Sequence, residues 1–62
     1  MYKTDRVIVG RGADSFYVQI RQIEKGKYIY RFIKADIVDE KEAMDMATKL
    51  ARKENVPLID RV

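Results

Sequence analysis

Along the first 35 positions, apolar and polar residues change over at short intervals; after that the spacing lengthens. Arg6-Val7-Ile8-Val9 is a β-branched run closed by Gly10-Arg11-Gly12-Ala13-Asp14, which predicts a strand and then a loop. Phe16 to Glu24 predicts a second strand and Lys27 to Ala35 a third. Lys25-Gly26 between them fits a two-residue hairpin turn, with Gly supplying positive φ. That turn sets Glu24 opposite Lys27 and Ile23 opposite Tyr28. One face of the hairpin then holds Phe16, Val18, Ile20, Ile29, Ile33 and Ala35, with Gln22 and Arg31 as exceptions. The other holds Tyr17, Gln19, Arg21, Ile23, Tyr28, Tyr30, Phe32 and Lys34. A slip of one residue would scramble the first, apolar set, so the pattern itself supports this register.

From Asp39 the apolar residues Ala43, Met46, Ala47, Leu50 and Ala51 recur at helical spacing, predicting a helix over about residues 39–54. Asp39 and Glu42 have the spacing of an N-cap and its reciprocal partner. Acidic residues open the helix, Arg52 and Lys53 close it, and both ends complement its dipole. Asn55 can end it. Val56-Pro57-Leu58-Ile59 reads as a final short strand, and Pro57, which cannot donate to a ladder, places it at an edge. The fold class is α+β: a three-stranded antiparallel meander, one helix packed on one face and a short C-terminal edge strand, in the order β-β-β-α-β. Residues 1–62 read as one small domain without repeats or linkers.

Composition adds constraints. A chain of 62 residues buries only about 60% of the surface its unfolded form exposes. It has no Cys and no His, so neither a disulfide nor the usual zinc site can staple it. A compact core or burial in an oligomer must serve instead, and a homodimer is the expectation. No apolar run approaches a membrane span and no signal peptide is visible, so a cytoplasmic protein is expected. Residues 1–35 carry eight Lys/Arg against three Asp/Glu, whereas residues 36–62 carry five against seven. The basic half is therefore the predicted sheet, a hint of an anionic partner.

One helix can cover only one sheet face. The face with Tyr17, Tyr28, Tyr30 and Phe32 has no evident lid, and exposed apolar patches on small proteins mark binding surfaces. Three readings stand. Nucleic acid could stack on the rings while Arg21 and Lys34 meet phosphates and Gln19 reads base edges, with Arg11, Lys25 and Lys27 clustered at the loops. Alternatively, the face meets protein: a second copy, or the target of a small regulator or inhibitor, such as mobile elements and viruses encode. In the third, the tyrosines are there for β-propensity alone.

Chemistry finds less support. Gly10-Arg11-Gly12 lacks the third glycine and following helix of a dinucleotide fingerprint. Ser15 has no His or Cys companion to act as base. Asp36, Asp39 and Glu40 read as capping and solvated acids, without the glycine of a calcium loop. No enzyme, metal or cofactor is expected.

"FYVQIRQIEKGKYIYRFIKA" followed by "DEKEAMDMATKLARKE", about residues 15–54, resembles the arm-type, AP2-like DNA-binding domains at the N-termini of tyrosine integrases. Gly26-Lys27 stands at that family's "GK" turn and Glu42-Ala43 at its "KEA" helix start. The resemblance implies a sheet laid in the DNA major groove, with Gln19, Arg21, Tyr28, Tyr30 and Lys34 in contact. The chain departs from that pattern by placing tyrosines where those domains place Lys or Arg, and by its acidic helix half. Both departures favour a protein partner, and the added C-terminal strand is a further mismatch.

Overall fold

The computed structural model describes all 62 residues. In chain order it has β1 (Lys3–Arg11), β2 (Phe16–Glu24), β3 (Lys27–Ile37), α1 (Glu40–Glu54) and β4 (Leu58–Arg61). They form one four-stranded sheet in the order β3-β2-β1-β4. β1, β2 and β3 are an antiparallel meander, as expected. β4 returns parallel to β1, because the helix carries the chain back across the sheet before β4 begins. Pro57 precedes β4 at the sheet edge, and its carbonyl accepts a hydrogen bond from the Val7 N–H at 3.0 Å. No helix is long and apolar enough to cross a membrane.

The β2–β3 turn sets the anticipated register: Glu24 pairs with Lys27 and Ile23 with Tyr28. Lys25 and Gly26 both take positive φ, 51° and 79°, the geometry of a type I′ turn. The helix ends are built from local chemistry. The Asp39 carboxylate accepts from the Lys41 N–H at 3.0 Å. Asn55 adopts the left-handed conformation, and the Val56 and Asn55 N–H groups donate to the carbonyls of Ala51 and Arg52, a Schellman close. Glu42 departs from the expected reciprocal cap and turns toward Lys34.

Ala43, Ala47 and Ala51 form the buried stripe of α1, and their small side chains let the helix lie close to the sheet. Beneath them lie Val7, Val9, Val18, Ile20 and Ile37. Phe16, Met44, Met46, Leu50, Val56 and Leu58 seal the margins. The sheet side of this core therefore comes from alternate positions of β1 and β2, plus one residue of β3.

The far end of β3 departs from simple alternation. Register shifts on both sides of Val18 pair Val18 with Lys34 and Phe16 with Ile37. Asp36 takes a φ of 57° within this irregular stretch. Ile33 and Ala35, expected in the core, are exposed, and Ile37 takes the core position instead. The same shift moves Lys34 off the aromatic face. It sits in register with the core residue Val18, and its Nζ lies 3.8 Å from Glu42 Oε1 on the helix.

Candidate functional site: the open sheet face

The face away from α1 is organised in rows across the strands. Ile59, Ile8, Gln19 and Phe32 form one row; Arg6, Arg21 and Tyr30 form the next; Lys3, Ile23 and Tyr28 form a third. At the opposite end, Gly10 stands between Tyr17 and Arg61. Of the expected residues, the fold brings Tyr17, Gln19, Arg21, Tyr28, Tyr30 and Phe32 onto this one surface. It also adds Lys3, Arg6 and Arg61, whose facing the sequence pattern left unassigned.

Tyr28, Tyr30 and Phe32 project from the edge strand and are 51%, 54% and 63% exposed. Tyr17 behaves differently. Its ring lies over Gly10, where a Cβ would collide with the Tyr17 Cζ and Oη. Glycine at position 10 thus lets the Tyr17 ring lie where it does, and a side chain there would push the ring aside. Tyr17 also meets Phe32 edge to face, with ring centroids 5.5 Å apart and planes at 73°. Such a pair contributes about 0.5–1.5 kcal/mol beyond its buried area and holds Phe32 in place. Beside the two rings, Gly12, Ala13, Asp14, Ser15, Ala35 and Asp36 frame an open groove.

The middle of the face is an ionic knot. Arg21 grips Asp5 in bidentate fashion, Nε to Oδ1 at 3.0 Å and Nη2 to Oδ2 at 2.6 Å. Its guanidinium also stacks on Tyr28, with Cζ 4.1 Å from the ring centroid. Arg6 Nε lies 3.5 Å from the same Asp5 Oδ1 and has no hydrogen-bond partner of its own. A β-bulge produces this grouping. The register shifts between Thr4 and Arg6, so β1 carries one extra residue at Asp5.

The Arg21 hydrogen bonds hold the Asp5 carboxyl below its ordinary 3.8, and the nearby charges of Arg21 and Arg6 act in the same direction. In return, the hydrogen bonds that Arg21 donates to Asp5 raise its guanidinium further above its already basic range. A depressed carboxyl contributes stability above its unfolded value and loses it as pH falls through the folded value. Acid titration from about pH 5 to pH 2 should therefore lower the thermal midpoint of the wild type more than that of Asp5→Asn. Equal slopes in the two proteins would show that the pair adds nothing to folding.

Three cations lie elsewhere than expected. Arg11 pairs with Phe16 at the start of β2, whereas Lys25 and Lys27 flank its other end. A nine-residue strand separates them by about 26 Å, so they do not cluster. Lys27 also faces Glu24 in the helix-side set. The cationic part of the aromatic face is instead Arg21 with Lys3, Arg6 and Arg61, offset by Asp5 in their midst and by Asp14 and Asp36 beside Tyr17 and Phe32. Set against family models, curated proteins and solved structures, the chain matches none of them, and the meaning of this face rests on its own residues.

Proposed function

We propose that the chain is a non-catalytic binding module that takes single-stranded nucleic acid across its open sheet face. The observation that carries this reading is the ladder of exposed rings on β3, Tyr28, Tyr30 and Phe32, lying alongside the four cations Lys3, Arg6, Arg21 and Arg61 on the same surface. Bases stack on such rings irrespective of sequence, and the cations follow the phosphates. A single strand suits the face better than a duplex. The groups that would read base edges are already engaged or recessed: Arg21 is held by Asp5, and Gln19 is half-buried in the strand.

The competing reading is a protein surface, a second copy of the chain included. Neutralisation of Arg21 and the removal of Lys34 toward Glu42 speak for it. Salt separates the two. If three phosphates are neutralised, log affinity for a thymidine oligonucleotide should fall with log salt at a slope of about −2, roughly 15-fold between about 50 and 200 mM. Light scattering of the same samples gives the molar mass. A doubled mass without oligonucleotide, together with no retention of the oligonucleotide at low salt, would replace this reading with self-association.

A further inference from the structure

Of the two guanidinium groups at Asp5, Arg6 is the one that makes no hydrogen bond. Its Nε is shielded from solvent yet lacks a hydrogen-bond partner, while its side chain as a whole is 33% exposed. Arg21, by contrast, is only 15% exposed and spends two donors on Asp5. The two arginines stand directly opposite each other in the β1–β2 register, in the row that ends at Tyr30. Asp5 lies between them as a planar, two-oxygen acceptor, the geometry a guanidinium also recognises in phosphate. The bulge that delivers Asp5 to this face costs ladder regularity in β1, so its effect is to seat an anion beside two guanidinium groups.

We propose that Arg6, held beside Arg21 by the Asp5 they share, forms a phosphodiester-binding site next to the tyrosine ladder, with Arg6 as the anchor and Asp5 as the built-in acceptor that limits its strength. The site deepens the nucleic-acid reading and rests on it. Tyr30, across β2 from Arg6, takes the base, and the adjoining phosphate falls to Arg6. Asp5 keeps Arg21 stacked on Tyr28 and withholds it from the phosphates. Binding is then set by stacking plus the phosphate contacts, of which Arg6 makes the strongest.

The test uses the full chain, a thymidine oligonucleotide, the same oligonucleotide with uncharged methylphosphonate linkages, and inorganic phosphate at matched ionic strength. Arg6→Gln keeps the side-chain stem and removes the charge; it should weaken oligonucleotide binding about tenfold and flatten the salt slope by about 0.7. Arg6→Lys should recover most of the slope. Asp5→Asn should steepen the slope by about 0.7, because Arg21 becomes available to a second phosphate. Arg6→Gln should leave binding of the methylphosphonate strand unchanged, and inorganic phosphate should not displace the natural strand. Wild-type affinity and slope in folded Arg6→Gln, with Tyr30→Ala impaired, would overturn the site and leave the stacking face standing. Displacement by phosphate alone would reassign the arginines to a small-anion site. Failure of the wild type to retain the oligonucleotide would remove both proposals.

Discussion

Ile8→Ala is expected to leave much of the protein unfolded at room temperature. Ile8 is 1% exposed, yet it lies outside the cluster packed beneath the helix. It sits on the opposite face, in the middle of the central strand, between Ile59 and Gln19, with Phe32 at the end of the row. The face described above as open thus has a dry centre, and one side chain fills it. Truncating a buried isoleucine to alanine costs about 2–5 kcal/mol, and the lower end applies only where neighbours can collapse into the gap. A chain of 62 residues has about 3–9 kcal/mol of total stability. The loss is therefore comparable with the whole. A thermal midpoint at least about 10 °C lower is expected, along with an earlier urea midpoint at unchanged slope. A melting curve within about 3 °C of wild type would mean that the far face contributes no core.

Tyr30→Ala is expected to abolish most nucleic-acid binding while sparing the fold. Half of the Tyr30 surface is already exposed, so truncation removes less burial than loss of a core side chain such as Ile8. Loss of one stacked base should cost about 1–3 kcal/mol, or roughly 5- to 150-fold in affinity. The salt slope should stay the same, because no phosphate contact is lost. Tyr30→Phe should bind nearly as wild type, since the ring and not the hydroxyl supports the base. A folded Tyr30→Ala protein with unchanged affinity for the oligonucleotide would show that the rings are not the binding surface. Phe32→Ala is a less clean probe, because it also frees Tyr17 from its edge-to-face contact.

Local chemistry made much of this fold readable. Lys25-Gly26 fixed the hairpin register, Asp39 and Asn55 bracketed the helix, and Pro57 marked an edge strand. Period-two counting carries no information about inserted residues. It therefore continued past Phe32 and placed Ile33 and Ala35 inside and Lys34 among the rings, where the register shifts reverse all three. The bulge at Asp5 was equally invisible, and so were Asp5 and Arg6 as members of the face. Val7-Ile8-Val9 gave no alternation to read, because β1 is covered on both sides: Val7 and Val9 beneath the helix, Ile8 under its row neighbours. The clustering of Arg11 with Lys25 and Lys27 failed for a simpler reason. The loops before and after β2 lie at opposite ends of it.

The pairing of β4 with β1 bears on how the chain assembles. Hairpins join β1 to β2 and β2 to β3, so those three strands can zip up from neighbouring segments. The remaining flank of β1 is met only by residues 58–61, about fifty positions away along the chain. During synthesis, the most deeply buried strand of the sheet keeps one bare side until β2, β3 and α1 have all been made. Its safety in that interval depends on how soon α1 folds down over Val7 and Val9, and the final strand then acts as a latch.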